Sequence, residues 1–239
     1  MPGDITDIHS HLLPGIDDGA ADWDETRQML QLAYEQGIHT IIATPHFSRR
    51  HETGHLRELA GRLAAEARKI APDYRIYLGQ ELMYFDSLVE FLERGDALTL
   101  ADTRYVLVEF RPDVTYKNLY QWIRKLLMAG YHPVIAHVER YLSLRKDDRL
   151  RELIQAGCYL QMNYSSLNGA FFHPDIRWCR NQLRNNLIHF MATDMHHINY
   201  RAPVIRKSLQ WMERSLEAEQ VALLTGKHAK RLLTGQLLT

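Results

Sequence analysis

The chain has 239 residues, of which 29 are lysine or arginine and 29 are aspartate or glutamate, so its formal net charge at pH 7 is zero. This balance provides no overall field that would favour nucleic acid or an anionic membrane surface, so an anionic ligand would need a local cluster of cations. No run approaches the roughly 18 consecutive apolar residues of a membrane span, and we expect neither membrane insertion nor a nucleic-acid partner. The length suits one domain with a large core, so we expect a single domain over residues 1–239.

The first residues, "MPGDITDIHS", contain neither the basic segment nor the apolar stretch of a secretion signal. We therefore expect a cytoplasmic protein, in which thiols stay reduced. The two cysteines, Cys158 and Cys179, are accordingly predicted to be free.

Short β-rich runs alternate with amphipathic helical runs along the chain, which is typical of βα units around a parallel sheet. The predicted strands are 5–10, 40–45, 75–81, 105–110, 133–138, 159–164 and 188–193. The predicted helices cover 23–36, 55–70, 146–156 and 174–187, with another in "NLYQWIRKLLMAG" and more in the tail after Tyr200. Seven parallel strands with outer helices predict an α/β barrel related to the eight-stranded kind. An open, doubly wound sheet is the competing architecture.

Ligand-type side chains follow nearly every predicted strand, and this pattern favours the barrel. His9 and His11 lie two residues apart on the first strand, so their side chains project from the same face. Later strands end in or just before His46, Glu81, Glu109, His137, Asp194 and His196. In a parallel barrel these positions converge at the carboxyl ends of the strands, which is the active-site face. Clustered carboxylates without cations would repel one another, and a mixture of imidazoles and carboxylates suits several Mn, Fe or Zn ions.

Six motifs, read in this order, resemble a known family: "DIHSH…GIDDG", "TIIATPH", "GQE", "EF", "IAHVERY" and "ATDMH". They are similar to the polymerase and histidinol phosphatase (PHP) superfamily, and more narrowly to its bacterial tyrosine-protein phosphatases of capsular and exopolysaccharide synthesis (CpsB/CapC-like). The resemblance covers nearly the whole chain, down to "GKHAKRLLTGQ". It implies a distorted seven-stranded, TIM-like barrel with three divalent metal ions, for which manganese is expected first and iron or zinc are alternatives.

The resemblance also implies a ligand set. One metal would be held by His9, His11 and Asp194; Glu81 would bridge to a second, held also by Glu109 and His137; the third would be held by Asp18, His46 and His196. Asp17 is expected to cap the turn or to orient its neighbours. Arg140 and Arg201 match positions that hold phosphate in the family, and a guanidinium can bind two phosphate oxygens at once. Val138 stands where the family usually has proline, and the loop 47–55 follows no pattern of the family.

The implied function is hydrolysis of phosphotyrosine in a protein substrate, which we expect to be a bacterial tyrosine autokinase in capsule or exopolysaccharide regulation. Three alternatives stay open: a PHP enzyme for a small ester such as histidinol phosphate, a metal-dependent amidohydrolase, and a metal-binding interaction protein without activity. Many amidohydrolases use a lysine on the fourth strand, whereas that strand ends here in Glu109. Cysteine-based tyrosine phosphatases need an arginine six residues after the cysteine. Cys158 is instead followed at that offset by Tyr164, and Cys179 by Asn185.

Overall fold

The computed structural model describes residues 4–146, 148–170 and 172–238; residue 147 of the predicted helix 146–156 therefore lies outside the described residues. Every strand pairing in the described parts is parallel. A three-stranded sheet contains β1 (Ile5–Ser10), β2 (Ile38–Ala43) and β3 (Arg75–Leu78) in that order. A five-stranded sheet contains, in order, β4 (Glu81–Met83), β5 (Tyr105–Glu109), β6 (His132–Ile135), β7 (Tyr159–Asn163) and β8 (Phe190–Ala192).

Helices separate consecutive strands, as expected for βα units, except between β3 and β4, which follow each other directly. The helices are α1 (Trp23–Glu35), α2 (Thr53–Ile70), α3 (Leu88–Arg94), α4 (Tyr116–Met128), α5 (Arg149–Gln155), α6 (Pro174–Arg184), α7 (Arg206–Ser215), α8 (Ala218–Ala222) and α9 (His228–Leu233), with a π-helical turn, Leu223–Lys227, between the last two. The α4 helix shows why the sequence forms these elements, because its apolar stripe buries Leu119, Ile123 and Leu126. Thr115 caps its first turn by accepting a hydrogen bond from the amide of Asn118.

The predicted strand 75–81 is broken in the structure, and this correction changes the sheet. A Cβ at Gly79 would lie 2.8 Å from Leu100 Cδ2 and 3.1 Å from its Cα, so the chain passes Leu100 at a distance that only glycine allows. Beyond this point Gln80 turns inward and its Oε1 accepts a hydrogen bond from the amide of Leu98 at 2.9 Å. The chain then leaves the edge of β2 and pairs with β5. Parallel α/β architecture is thus confirmed, whereas the predicted closed seven-stranded barrel is not.

The two sheets are joined by backbone hydrogen bonds at two seams. Just after β8, the amide of Asp194 donates to the carbonyl of His9 at 3.0 Å, and the amide of His11 donates to the carbonyl of Met195 at 2.9 Å. At the second seam, after the end of β2, the amide of Phe47 donates to the carbonyl of Glu81 at 2.9 Å. Both seams therefore consist of residues at or next to predicted ligands.

Most of the strands are almost entirely buried, although β3 is only partly so, and the apolar side chains of the strands form the core together with the helices. Every residue of β1 and of β5 is buried, as expected for parallel strands that are covered on both faces. Among the described helices, none is long and apolar enough to cross a membrane.

Candidate metal centre

The predicted metal ligands lie together at the carboxyl ends of the strands. The most buried cluster consists of His9, His11, Glu81 and Asp194. His9 Nε2 is 3.1 Å from Glu81 Oε2 and 3.4 Å from Asp194 Oδ1, and it is 3.3 Å from His11 Nε2. Four potential ligand atoms on three different strands or strand ends therefore converge on one point.

A second cluster adjoins the first through the carboxylate of Glu81. His46 Nδ1 lies 3.1 Å from Glu81 Oε2 and 3.3 Å from Glu109 Oε1. On its other oxygen, Glu81 Oε1 is 2.8 Å from His137 Nε2, which in turn lies 3.7 Å from Glu109 Oε2. Glu81 Oε2 thus faces histidines of both clusters while Oε1 faces His137, so this one carboxylate links the two clusters.

The third cluster lies nearest to solvent and depends on the loop after β1. Asp18 Oδ1 is 3.3 Å from His46 Nε2 and 3.5 Å from His196 Nε2. The aspartate side chain is 67 % exposed, whereas His196 is almost fully buried. The loop therefore brings Asp18 next to His46 and His196, and His11 is the fourth member of this cluster.

The most buried cluster contains potential ligand atoms without a suitable hydrogen-bond partner, as a metal site requires. Asp194 Oδ1 is buried and has no hydrogen-bond partner among the described residues. His9 and His11 also point their Nε2 atoms at each other, although each ring nitrogen on the opposite side has an acceptor to which it can donate. Two facing lone pairs and an unpartnered carboxylate oxygen are stabilised by a cation between them.

The pKa shifts of the buried histidines and of Glu81 also indicate that the clustered carboxylates require positive charge beside them. Burial lowers the pKa of the His9 and His11 imidazoles, but the carboxylates around them outweigh it and raise both values above 6.5. Burial conversely raises the pKa of Glu81, but the neighbouring histidines hold it well below its usual range. In the absence of metal, protons on these imidazoles supply the positive charge that the carboxylates require.

Asp17 orients two of the predicted ligands. Its Oδ2 accepts hydrogen bonds from His11 Nδ1 at 2.7 Å and from the amide of His46 at 2.8 Å. Burial opposes ionisation, but these bonds lower the pKa of Asp17 to about 2. Gly19 donates its amide to Asp17 Oδ1, and a Cβ at this glycine would lie only 2.3 Å from the carbonyl oxygen of His11. The two aspartates of the "DDG" segment therefore have different roles: Asp17 positions histidines, while Asp18 faces the centre.

Two amide side chains on β7 support the cluster, and the sequence patterns did not identify them. Gln161 Oε1 accepts from the amide of His137 at 2.7 Å and faces His9 Nδ1 at 3.2 Å, which leaves His9 Nε2 directed at the cluster. Asn163 Nδ2 donates to Asp194 Oδ2 at 2.8 Å. The available signal was the pair of amide residues two apart in an otherwise apolar, buried strand.

Both predicted phosphate-binding arginines reach the centre through Asp194. Arg140 Nη2 donates to Asp194 Oδ2 at 2.6 Å, and Arg201 forms an ion pair with the same oxygen. Arg201 Nη1 also lies 2.8 Å from His196 Nε2. The side chain of Arg140 is 41 % exposed and that of Arg201 25 %, so both arginines remain partly accessible to solvent.

Three residues of the centre adopt left-handed backbone conformations. The φ angles are 33° at His137, 53° at Asp194 and 54° at Arg201. Such conformations are strained for residues other than glycine and cluster at functional sites. They turn the chain sharply after β6 and β8, which directs these side chains at the centre.

Parallel strands with imidazoles and carboxylates collected at their carboxyl ends define a class: α/β proteins with candidate metal-binding clusters at that end of the sheet. Comparisons with known proteins agree with this class. The family model for capsular polysaccharide synthesis, CpsB/CapC, matches residues 5–234. The chain belongs to the CpsB/CapC family.

Two relatives match over nearly their full lengths. The tyrosine-protein phosphatase CpsB of Streptococcus pneumoniae is 32 % identical, over 98 % of this chain and 100 % of the relative. The tyrosine-protein phosphatase YwqE of Bacillus subtilis is 34 % identical, over 97 % of this chain and 92 % of the relative. A chain from the crystal structures of YwqE and CpsB, described there as unique metal-dependent tyrosine phosphatases, superposes with a TM-score of 0.89 at 33 % identity, over 98 % of this chain and 96 % of that chain.

More distant structures share the fold alone. One D-hydantoinase superposes with a TM-score of 0.61 at 14 % identity, covering 99 % of this chain and 73 % of that chain. This likeness places the strands in a widely used α/β architecture and carries no statement about activity.

Proposed function

We propose that this protein is a metal-dependent phosphatase that hydrolyses phosphotyrosine in proteins. The observation that carries the proposal is the group of overlapping histidine and carboxylate clusters, flanked by two accessible arginines. Tyrosine-protein phosphatases that match this chain from end to end support it. The proposed substrate is the phosphotyrosine of a bacterial tyrosine autokinase that acts in capsule or exopolysaccharide regulation.

We assign three divalent ions to the centre, with manganese as the preferred metal. One is held by His9, His11 and Asp194, one by Glu81, Glu109 and His137, and one by Asp18, His46 and His196, with Glu81 bridging the first two. The shared carboxylate of Glu81 and the unpartnered Asp194 Oδ1 support this division. The two sheets, joined at both seams, are proposed to form the distorted barrel of the PHP fold over a single domain, residues 1–239.

Divalent ions in such a site lower the pKa of bound water and neutralise charge on phosphoryl oxygens. The chain's own contribution begins with Arg140 and Arg201, whose guanidinium groups we propose to hold the phosphoryl oxygens. Burial, His11 and Arg201 lower the pKa of His196 to about 4, so this imidazole stays neutral and can act as a ligand at physiological pH. A tyrosine leaving group has a pKa of about 10 and needs less protonation than an alkoxide.

A cysteine nucleophile does not fit the structure. Burial raises the pKa of the Cys158 thiol well above its ordinary value and that of Cys179 to about 12. Neither thiol forms the thiolate that a cysteine-based phosphatase requires. Both cysteines are free, and the cytoplasmic location stays part of the proposal.

Chelation tests the proposal. Protein stripped of metal should lose activity towards a phosphotyrosine peptide, and manganese should restore more activity than zinc or iron. The metal-loaded enzyme should hydrolyse the phosphotyrosine peptide in preference to an alkyl phosphate. A phosphatase for small esters would instead prefer the alkyl phosphate. Turnover by the metal-free protein would contradict the metal assignment, and faster hydrolysis of the alkyl ester would contradict the substrate assignment.

A further inference from the structure

A cavity of about 420 Å³ opens on the same face as the metal centre, between the loops that follow β6 and β7 and the beginning of α6. Its walls include Glu139, Arg145, Ser166, His173, Ile176 and Cys179. None of these residues belongs to the proposed metal or phosphate sites. The cavity is nevertheless adjacent to them, because Glu139 directly precedes Arg140.

The 3₁₀ turn Val138–Arg140 explains how neighbouring residues serve two sites. Successive side chains in a 3₁₀ helix diverge by about 120°, since each turn contains three residues. Arg140 is directed at Asp194, whereas Glu139 lines the cavity. Consecutive Cα atoms are about 3.8 Å apart, so both side chains can contact one bound polypeptide.

Only one of the two carboxylate oxygens of Glu139 accepts hydrogen bonds from the protein. The residue is 7 % exposed, and its Oε1 accepts hydrogen bonds from the amide of Asn163 at 3.1 Å and from Ser166 Oγ at 2.6 Å. Its Oε2 is buried and has no hydrogen-bond partner among the described residues. A buried carboxylate oxygen without a donor is unfavourable, and it indicates a missing donor group at this wall of the cavity.

The nearest cation in the cavity does not fill this role. Arg145 pairs with Asp175 through Nη1, and its Nη2 donates to the backbone carbonyl of Glu139 at 2.9 Å. No ion pair joins the guanidinium to the Glu139 side chain within the described ranges. The remaining Nε of Arg145 is itself buried without an acceptor.

The two unpartnered atoms specify complementary chemistry. Glu139 Oε2 requires a donor, for which an ammonium or guanidinium group is the strongest choice, and Arg145 Nε requires an acceptor such as a carbonyl oxygen. A basic residue within a polypeptide supplies both groups, whereas a free amine supplies only the first.

We propose that this cavity binds a lysine or arginine side chain of the substrate protein, located within about three residues of the phosphotyrosine. The inference rests on the proposed function and deepens it, because it names the sequence context that the enzyme prefers. Arg140 would hold the phosphate while Glu139 holds the neighbouring basic residue.

A set of phosphotyrosine peptides tests the subsite, with lysine, methionine or glutamate placed in turn at each of the three positions on either side of the phosphotyrosine. For the wild type we expect kcat/KM for the best lysine peptide to exceed that of its methionine partner by about tenfold or more, the effect of one charge-assisted hydrogen bond. Glu139→Gln should reduce this preference to about twofold or less while kcat/KM for p-nitrophenyl phosphate stays near wild type. Glu93→Gln, an exposed glutamate on α3, is the matched control and should retain the preference.

Ile176→Lys is the second variant, because it places an amine from the chain itself in the cavity. It should abolish the lysine preference even if Glu139→Gln fails to fold. The inference is overturned if wild-type enzyme hydrolyses the three peptides of every set equally, or if the preference survives both substitutions. Binding of each ligand can also be measured as a rise in the melting temperature of the protein. If butylammonium raises the melting temperature as much as the lysine peptide does, the cavity is a site for free amines and the assignment to substrate is overturned. If no ester is hydrolysed, including p-nitrophenyl phosphate, the proposed function itself is wrong and the subsite with it.

Discussion

Asp194 connects the proposed metal ligands to the residues proposed to hold phosphate. Its Oδ2 receives Arg140, Arg201 and Asn163, while its Oδ1 faces the histidines. The aspartate can thus lose one of its three partners on Oδ2 and still be held in position by the other two.

Arg140→Ala should therefore weaken catalysis without removing metal. Loss of a charge-assisted hydrogen bond to the substrate should lower kcat/KM by about ten- to a hundredfold. Metal content, measured by elemental analysis, should stay near the wild-type value, because Arg201 and Asn163 still orient Asp194. His137→Ala is the matched comparison and should lose both metal and activity, since it removes a proposed ligand.

Two results for Arg140→Ala would contradict this expectation. If Arg140→Ala also loses metal, the arginine acts mainly by positioning Asp194. If Arg140→Ala instead hydrolyses phosphotyrosine at the wild-type rate, Arg140 has no part in holding phosphate.

Gly19 allows the tight approach that brings Asp17 to His11. We expect Gly19→Ala to destabilise the protein by about 1–3 kcal/mol and to reduce its metal content, because the loop must move away from the His11 carbonyl. Gly54→Ala is the control, since no atom lies within 4 Å of a Cβ at that position of α2; it should be neutral or stabilising by up to about 1 kcal/mol. Thermal melting and metal analysis of both variants measure the difference, and equal behaviour would refute the steric argument.

At the level of elements, β7 supports the centre without supplying a ligand. We expect Gln161→Leu to lower metal affinity by about 10- to 100-fold, because His9 and His137 lose the acceptor that orients them. Far-ultraviolet circular dichroism should show retained secondary structure, and competition with a chelating dye reports the affinity. Gln155→Leu, at the exposed end of α5, should leave the affinity unchanged.

The residues that could be predicted from the sequence are those with a short-range signal. His9 and His11 share a strand face, and His46, Glu81, Glu109 and His137 follow apolar runs, so local pattern was sufficient to place them at one end of a parallel fold. The resemblance to a family added Asp18 and the two arginines, whose positions depend on loops.

Other features depend on contacts between distant parts of the chain, and no local pattern could predict them. The break at Gly79 arises from Leu100, which lies 21 positions further along. The roles of Gln161 and Asn163 become visible only when β7 is placed beside β6 and β8. The contacts of both arginines with Asp194 likewise require the folded arrangement of two loops.

For the molecule as a whole, protons and metal ions compete for the same centre. In the metal-free fold the carboxylates raise the pKa of His9 and His11 above 6.5, although burial opposes this. The pairing therefore stabilises the metal-free fold fully below pH 6.5, and the contribution is lost as pH rises through the folded-state pKa values. Metal binding needs the neutral imidazoles and strengthens over the same range.

We therefore expect the gap in melting temperature between metal-loaded and metal-free protein to widen from about pH 6 to about pH 9. Melting curves at constant ionic strength, with manganese or with a chelator, measure this gap. Metal addition near neutral pH should also release protons, which a weakly buffered indicator dye detects. A gap that narrows with rising pH would contradict the assignment of these histidines as ligands.

The clusters draw their side chains from residues between His9 and His196, so the centre spans most of the chain. During synthesis, a growing polypeptide exposes the first two histidines almost immediately but lacks Asp194 and His196 until its final portion emerges from the ribosome. A partly made chain therefore contains at most an incomplete set of these side chains. Acquisition of metal then reports completion of the fold, and an unfinished or truncated product is kept inactive by its own topology.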